Sequence, residues 1–231
     1  MAYNQFVTYL TTKKRLTTKQ SGNKKWFSTE TSLIHTTDAF LKGIDDKKLT
    51  ACMRLDMSKA FDSVDHQILL RKIQSVGVST SALKWFNSYL TNRYQVARIH
   101  SSVSFPVECD VAQGSILGPL LFSVYVNDLP EVPRHCSREC YVDDTKLFVS
   151  FNLHDSQRIV QEMNEDLLQV RHWCFGNRLL LNPDKTKLIV FGSRQMTSKL
   201  HEFHLSLLGK DHFLSAISER SWRDFGSELN I

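Results

Sequence analysis

The sequence has few of the features that mark a membrane protein or a secreted one. Its longest mainly apolar stretch, residues 116–126, is interrupted by Gly118, Pro119 and Ser123. It falls short of the roughly 18 consecutive apolar residues that a membrane span needs. Residues 1–10 do not join a basic segment to an apolar one, as a secretion signal does. We therefore expect an intracellular protein, in the nucleus or the cytoplasm, that makes no membrane contact.

Cysteine, glycine and proline are also scarce. The five cysteines are odd in number and scattered, which argues against a disulfide framework and predicts reduced thiols. Nine glycines and five prolines are too few to mark a long linker, and no repeat or low-complexity tract is visible. A chain of 231 residues can form one large domain or two small ones. We interpret it as one continuous unit.

The charge of the chain is unevenly placed. Lysine and arginine number 29 against 24 aspartate and glutamate, a formal net charge of +5. Residues 1–29 contain six basic residues and no acidic one. The six are Lys13, Lys14, Arg15, Lys19, Lys24 and Lys25. This placement indicates a polyanionic partner, with a solvated basic arm as the alternative.

Hydrophobic periodicity and turn residues predict interleaved helices and strands. The predicted helices cover residues 28–42, 65–77, 79–90, 115–128 and 155–176. The predicted strands cover residues 49–56, 94–100, 105–109, 138–142, 145–150, 178–181 and 187–191. Ser101 and Ser102 are expected to form a turn, and the last two strands are expected to pair with each other. Because hairpins accompany the helices, an α+β fold with a mixed sheet is favoured over a parallel one.

The local sequence Tyr-Val-Asp-Asp at residues 141–144 is unusual for a hairpin turn. Such turns favour Asn-Gly or Asp-Gly, because both central residues take positive φ. Two adjacent carboxylates also repel each other, by about 4 kcal/mol at about 4 Å and an effective dielectric near 20. A divalent cation bound by oxygen ligands would offset this repulsion. Asp143 and Asp144 are therefore candidate metal ligands.

A second carboxylate, Asp56, ends the predicted strand 49–56. If the hairpin pairs alongside that strand, Asp56 and Asp143 approach each other at one edge of the sheet. They could then hold two Mg²⁺ ions about 3.5–4 Å apart, the arrangement used in phosphoryl transfer. Taken singly, each aspartate is more often a turn residue or a helix cap.

Four segments of the chain resemble, in the same order, the palm motifs of reverse transcriptases. Their amino-acid sequences resemble those of the non-LTR (LINE-type) retrotransposon branch. They are residues 56–61, 113–122, 141–144 and 180–187. Residues 20–22 and 28–31 resemble the fingers segment of the same group. The resemblance covers about residues 1–208, and four ordered motifs make it specific.

The resemblance implies a right-hand polymerase fold. Residues 1–48 would be a partial fingers segment, and residues 49–192 a palm with a fingers insertion. Residues 193–231 would be a divergent C-terminal segment with no evident thumb. Because the sequence after Lys210 no longer resembles the family, we expect a truncated or frame-altered copy of a longer element.

The resemblance also implies a role for each residue that matches a motif. Asp56 and Asp143 would be metal ligands, with Asp144 as a neighbouring contributor. Phe61 would be the gate that contacts the sugar and excludes a 2′-hydroxyl, with an ordinary core phenylalanine as the alternative. Lys185 would be a general acid near the pyrophosphate leaving group, with the nearby Lys187 as the alternative match and a solvated turn lysine as the alternative role for either.

Other matching residues would contact the nucleotide. Gln113 and Gly114 would lie against the incoming nucleotide and the template, with a helix-opening turn as the alternative. Lys24 and Lys25 occupy the place of a basic residue that binds the triphosphate in the fingers, most often an arginine. Lysine supplies the charge but not the bidentate fork.

The activity implied is that of an RNA-directed DNA polymerase. A primer 3′-hydroxyl would attack the α-phosphate of a dNTP, with two Mg²⁺ ions, or Mn²⁺, as cofactors. An RNA template and a DNA primer would be the partners, and the oligomeric state is not indicated. A catalytically inactive nucleic-acid-binding remnant is the main alternative. A phosphohydrolase of another fold would leave residues 113–122 unexplained.

One motif departs from the family pattern. Residues 110–112 read Asp-Val-Ala where the family usually has Gly-Val-Pro. An acid at position 110 would repel phosphate, and loss of the proline frees a fixed φ. Asp110 therefore puts the nucleotide pocket in question.

Overall fold

The computed structural model describes residues 1–22, 28–91, 93–99, 101–106, 109–111, 114–200, 202–213 and 215–217. In these ranges the chain forms seven α-helices and eleven strands. The helices are α1 (Ala2–Thr12), α2 (Thr29–Asp45), α3 (His66–Ser75), α4 (Thr80–Leu90), α5 (Gly118–Tyr125), α6 (Ser156–Gly176) and α7 (Arg194–Thr197). The strands are β1 (Leu49–Leu55), β2 (Met57–Ser58), β3 (Tyr94–Ile99), β4 (Ser101–Pro106), β5 (Ser137–Tyr141), β6 (Asp144–Phe151), β7 (Leu180–Leu181), β8 (Lys187–Phe191), β9 (His204–Leu207), β10 (Lys210–Phe213) and β11 (Ser215–Ile217).

A five-stranded sheet in the order β11-β8-β1-β6-β5 forms the centre of the fold. β1 is antiparallel to both β6 and β8, and β11 runs parallel to β8. The sheet is therefore mixed and mainly antiparallel, with helices packed against it. This confirms the predicted α+β class.

The central strand β1 is buried on both faces. Its alternating sequence is typical of a strand with one solvated face, yet all seven residues are buried. α2 covers the second face, where Phe40 stacks on Phe191 with ring centroids 4.3 Å apart and packs with Cys52. β1 is therefore fixed from both sides just before it reaches Asp56.

The predicted helix starts are confirmed at three capping residues. The side chains of Ser28, Asp65 and Ser79 each accept a hydrogen bond from the backbone N–H three positions along the chain, at 3.3, 2.8 and 3.4 Å. These bonds satisfy N–H groups that have no partner within the helix. Short polar residues therefore set where α2, α3 and α4 begin.

The apolar helix predicted over residues 115–128 is shorter than expected. α5 covers Gly118–Tyr125, and residues 126–128 form a turn. Pro119 lies in the first turn of α5, where its missing N–H costs no helical hydrogen bond. The Ser115 hydroxyl accepts from Gly118 N at 2.9 Å and caps the helix from outside.

The prediction for the second strand of the 94–109 hairpin was wrong at its start. β4 begins at Ser101, and Ser101 and Ser102 pair with Ile99 and Arg98 rather than forming the turn. Cys109 lies beyond β4, in an isolated bridge with Asp65. Serine favours turns through its side chain, but a strand ladder uses only backbone groups, so serine does not end a strand.

The predicted pairing of residues 178–181 with residues 187–191 was also wrong. β7 pairs with β2, whereas β8 pairs with β1. The two strands belong to different sheets because Asn182, between them, donates its backbone N–H to the Asp56 carbonyl at 2.8 Å. The division of the chain into fingers, palm and C-terminal segments stays a prediction.

Asp166 of α6 anchors the loop that leads into β5. Its buried carboxylate accepts hydrogen bonds from the backbone N–H groups of Arg134, His135 and Cys136, at 2.8, 2.9 and 2.8 Å. An acceptor for three adjacent donors fixes the path of the chain. The strand that carries the Tyr-Val-Asp-Asp sequence therefore starts from a fixed point.

None of the five cysteines forms a disulfide bond, and the prediction that their thiols are reduced stays a prediction. Cys109 is partly exposed and the other four are buried. Burial raises the pKa of the Cys52, Cys140 and Cys174 thiols to about 12. None of the helices in the described part of the chain is long and apolar enough to cross a membrane.

Candidate active site

The Tyr-Val-Asp-Asp sequence lies in the predicted hairpin, but its turn begins one residue earlier than predicted, because Asp144, expected in the turn beside Asp143, is the first residue of β6. β5 and β6 are antiparallel, and Tyr141 pairs with Asp144, which leaves Val142 and Asp143 at the turn. Val142 has a φ of +56°, in the left-handed region. For a β-branched residue this conformation costs about 1–3 kcal/mol and requires support from its surroundings.

The hairpin lies beside β1, as the two-carboxylate hypothesis requires. β6 pairs with β1 along its length, and Leu55 stands opposite Thr145. Asp56 therefore follows β1 at the same end of the strands as the turn that carries Asp143. The predicted approach of these two residues follows from the strand register.

Both carboxylates line one cleft of about 460 Å³ at this edge. It is lined by Asp56, Met57, Ser58, Lys59, Ala60, Phe61, Asp143, Asn182 and Lys185. Four predicted site residues, from three separate motifs, therefore meet at one place: Asp56, Phe61, Asp143 and Lys185. Their chemical roles stay predictions.

The Asp143 carboxyl lies in an electrostatically unfavourable position. Burial raises its pKa above the ordinary value of 3.8, and repulsion from Asp144 and Asp56 raises it further. Arg54 lowers it only in part. A cation bound in the cleft would relieve this repulsion.

Asp144 differs from Asp143 because it has a cationic partner. Its Oδ1 atom lies 3.2 Å from Nη2 and 3.4 Å from Nε of Arg54, a buried residue of β1. Arg54 stands opposite Lys146 of β6 and Lys187 of β8 in the strand register. Asp144 therefore partly balances a row of three basic residues.

Asn182 connects the Lys185 loop to Asp56. In addition to the backbone bond to the Asp56 carbonyl, its Oδ1 atom accepts from the backbone N–H of Asp184 at 3.0 Å and of Lys185 at 3.3 Å. This side chain holds a tight turn of the Asx type. Asn182 was not predicted as a site residue, although its Asn-Pro-Asp sequence signals a turn. Lys185 lies in the cleft, whereas Lys187 is an exposed residue of β8.

Phe61 is partly buried and lines the cleft. Its ring stacks on the fully buried ring of Phe122, with centroids 4.6 Å apart and an angle of 21° between the planes. Phe61 is therefore both packed against the core and accessible from the cleft. The two interpretations of this residue are compatible.

Three predicted nucleotide contacts, Lys24, Lys25 and Gln113, lie outside the described residues. Gly114 is described, and it is exposed, with a φ of +85°. A Cβ atom built at Gly114 would meet no atom within 4 Å. The position therefore favours glycine through its backbone conformation and leaves open space beside it.

Asp110 occupies a backbone conformation suited to glycine. Its φ is +116°, and its carboxylate Oδ1 atom is buried without a hydrogen-bond partner. The Asp110 carbonyl accepts from Nε2 of His66 at 2.8 Å. Burial raises the pKa of the Asp110 carboxyl above 3.8, and repulsion from Asp62 raises it further. The departure from the family's glycine is therefore unfavourable in both conformation and charge.

Two other observations concern ligands. In the described ranges no group of three or more histidine, cysteine, aspartate or glutamate residues is placed to hold a metal ion. A larger hollow of about 610 Å³ lies between α1 and α4, lined by groups such as Phe6, Tyr9 and Trp85. No acidic residue lines it. The cleft at Asp56 and Asp143 is therefore the better candidate for metal-dependent chemistry.

Residues 2–213 match the family described as Reverse transcriptase (RNA-dependent DNA polymerase). The chain belongs to the reverse transcriptase family. This is a family of enzymes, and the match includes all four motifs of the cleft and its surroundings.

Similar sequences come from insect mobile elements. The chain is 33% identical over 195 residues to a probable RNA-directed DNA polymerase from transposon BS of Drosophila melanogaster, covering 79% of the chain and 21% of that relative. It is 27% identical over 203 residues to the RNA-directed DNA polymerase from the mobile element jockey of the same species, covering 83% and 22%. The chain thus spans about a fifth of the length of these relatives. They confirm the resemblance to a reverse transcriptase domain of the non-LTR, LINE-type branch.

Solved structures with a similar fold include telomerases. Telomerase from Candida tropicalis, in complex with a fragment of telomeric RNA, is 13% identical, with a TM-score of 0.57, over 81% of this chain and 33% of that one. The apo form is 10% identical, with a TM-score of 0.58, over 91% and 39%. At these identities the likeness concerns the fold alone, and it agrees with a polymerase palm.

Proposed function

We propose that this chain is the palm of an RNA-directed DNA polymerase, which transfers a nucleotidyl group from a dNTP to a primer 3′-hydroxyl. The observation that carries the proposal is the cleft in which Asp56, Phe61, Asp143 and Lys185 meet. These residues come from distant parts of the sequence and place two carboxylates, a bulky apolar side chain and an ammonium group together. Its family membership supports the same reaction.

The donor set of the cleft fits divalent ions that arrive with a nucleotide. Mg²⁺ favours octahedral oxygen coordination, and it is usually held by one or two carboxylates together with substrate phosphates and water. Asp56 and Asp143 supply two such carboxylates, and the raised pKa of the Asp143 carboxyl reflects repulsion that a cation would remove. When bound, a pair of Mg²⁺ or Mn²⁺ ions would neutralise charge on the attacking and leaving oxygens.

The side chains around the acids would then bind and orient the substrate. Asp56 and Asp143 would hold the metal ions that bind the triphosphate, while Asp144 is partly engaged by Arg54. Lys185 also lines the cleft, on a loop that Asn182 fixes. Its ammonium group would donate a proton to the departing pyrophosphate. Lys187 lies on β8, outside the residues that line the cleft.

The partners proposed are an RNA template, a DNA primer and a dNTP. The acid-free basic stretch at the start of the chain supports contacts with nucleic-acid phosphates. Such contacts do not depend on base sequence, so they would serve any template. Binding is expected to weaken steeply as the salt concentration rises.

Primer extension on an RNA template with Mg²⁺ tests the proposal. The wild-type protein is compared with Asp56→Asn and Asp143→Asn, which keep the side-chain shape and remove one charge each. Extension by the wild type alone is the expected result, and equal extension by all three proteins would refute the metal-ligand roles. Salt-sensitive RNA binding without any incorporation would instead favour a non-catalytic nucleic-acid-binding remnant.

Replacement of Phe61 by alanine is expected to weaken discrimination against ribonucleotides. The proposed gate touches the 2′ position of the sugar, so opening it should raise the ratio of kcat/KM for rNTP to that for dNTP about tenfold. Single-nucleotide incorporation kinetics measure the ratio. Phe175→Ala, which truncates an exposed phenylalanine of α6, is the control and should leave the ratio unchanged. An unchanged ratio in Phe61→Ala would mean that Phe61 serves only the core.

A further inference from the structure

A short segment near the start of the chain lies against the strand that leads to the hairpin turn. Residue 20 forms a parallel bridge with Cys140, more than a hundred residues later. The Cys140 backbone N–H donates to the Lys19 carbonyl at 3.1 Å, and its carbonyl accepts from Ser21 N at 2.8 Å. The segment of residues 19–22 thus extends the central sheet beyond β5.

The side chain of Gln20, in this segment, forms hydrogen bonds with the hairpin turn. It is 2% exposed. Its Oε1 atom accepts from the backbone N–H of Val142 at 2.9 Å and of Gly22 at 2.9 Å. Its Nε2 atom donates to the Val142 carbonyl at 3.0 Å. One amide therefore satisfies both backbone polar groups of Val142.

Val142 is a residue that needs such support. It is β-branched and has a φ of +56°, a conformation that valine rarely adopts. It follows the last paired residue of β5, Tyr141, so its N–H and carbonyl lie outside the β5–β6 pairing. The Gln20 amide supplies the hydrogen bonds that the strand partner does not.

Gly22 permits this approach of the two segments. A Cβ atom at position 22 would lie 2.6 Å from the Val142 side chain and 2.6 Å from its backbone nitrogen. Only glycine leaves room for the turn at this distance. Gln20 and Gly22 therefore act together: Gln20 binds the turn, and Gly22 leaves the space that the turn occupies.

We propose that Gln20 is a positioning residue that fixes the Asp143 carboxylate in the cleft through the backbone of Val142. Val142 directly precedes Asp143, so any change in its backbone angles reorients the next side chain. Reaction rates depend steeply on such placement, and a shift of about 1 Å can lower them about 100-fold. The inference rests on the proposed polymerase function and assigns a catalytic duty to the predicted fingers segment.

The first test is steady-state incorporation by Gln20→Met, which keeps the length and apolar volume of the side chain but cannot form the three hydrogen bonds. We expect kcat to fall about tenfold or more, with less than about a threefold change in KM for dNTP. Gln67→Met, at an exposed glutamine of α3, is the matched control and should change neither constant. An unaltered kcat in folded Gln20→Met would overturn the proposal.

Rescue at position 142 separates positioning from general support of the fold. Glycine adopts positive φ without strain, so the turn in Val142→Gly depends less on the Gln20 amide. In that background Gln20→Met should lower kcat by less than about threefold. An equal loss in both backgrounds would mean that Gln20 does not act through Val142. Gln20→Asn, whose amide is one methylene shorter, replaces Gln20→Met if the latter does not fold.

Amide hydrogen exchange tests the hydrogen bonds between Gln20 and Val142 without a measurement of enzyme activity. Peptides covering residues 140–145 should exchange about tenfold faster in Gln20→Met, while peptides from α6 stay unchanged. If the wild type incorporates no nucleotide, the polymerase proposal fails, while faster exchange in Gln20→Met still shows that Gln20 holds the hairpin turn. If the wild type incorporates nucleotides normally and Gln20→Met does not change exchange in the hairpin, the role proposed for Gln20 fails and the polymerase proposal stands.

Discussion

Replacement of Asp143 by asparagine is expected to reduce nucleotide incorporation about 1000-fold or more without lowering the stability of the fold. Asparagine keeps the shape of the side chain but lacks the charge that would hold a metal ion. Burial and repulsion raise the pKa of the Asp143 carboxyl, so the ionised form is disfavoured in the folded protein. Removing that charge should therefore maintain or increase the free energy of unfolding at neutral pH. Single-turnover primer extension and urea unfolding measure the two effects.

The neighbouring substitution Asp144→Asn is expected to give the opposite pattern. Asp144 forms an ion pair with the buried Arg54, and its loss should lower the free energy of unfolding by about 1–3 kcal/mol. Incorporation should fall only about tenfold, since this carboxylate is partly engaged away from the cleft. Asp155→Asn, which breaks the exposed ion pair with Arg158, is the control and should lower the free energy of unfolding less than Asp144→Asn does and leave incorporation unchanged. Equal losses of incorporation at positions 143 and 144 would refute this division of roles.

Replacement of Asp110 by glycine is expected to stabilise the protein by about 2 kcal/mol, because glycine adopts the φ of +116° without strain. It also removes a carboxylate whose Oδ1 atom is buried without a partner. For a chain of this size the gain corresponds to a rise in Tm of about 4–8 °C. Differential scanning calorimetry measures it directly.

The stabilisation by Asp110→Gly should depend on pH. The pKa of the Asp110 carboxyl is raised on folding, so its contribution to stability is favourable below its unfolded pKa and is lost as the pH rises through the folded value. The gain should therefore be larger near neutral pH than at about pH 4. Asp110→Asn should reproduce the pH-dependent part alone. Lys47→Gly, at an exposed residue with a φ of +55°, should show only a pH-independent gain. A loss of stability in Asp110→Gly would mean that the aspartate makes a compensating contact.

Local sequence patterns were sufficient to predict the elements that carry the candidate catalytic acids, Asp56 and Asp143. Alternation and length identified β1 and the β5–β6 hairpin, and small polar caps identified the starts of α2, α3 and α4. The approach of Asp56 to Asp143 followed from one assumption, that the hairpin pairs with β1, and the register confirms it.

Side chains that bind backbone groups far away in the sequence could not be predicted in this way. Gln20 belongs to a segment that resembles the fingers, but nothing in its sequence indicates that its side chain binds a turn 122 positions later. Asn182 was predicted only as a turn residue, and its backbone bond to the Asp56 carbonyl, like the separation of β7 and β8 into different sheets, was not predicted. Arg54 interrupts an apolar strand without any sign of its acidic partner. Such contacts depend on the assembled fold and leave no periodic trace along the chain.

The burial of the cysteines has a practical consequence for handling the protein. A thiol reacts with oxidants and alkylating agents as its thiolate, and thiols with a pKa of about 12 contain almost no thiolate at neutral pH. In the folded chain these three thiols should therefore resist air and mild peroxide. A maleimide dye should attach first at the partly exposed Cys109, which provides a single labelling position without any cysteine being engineered away.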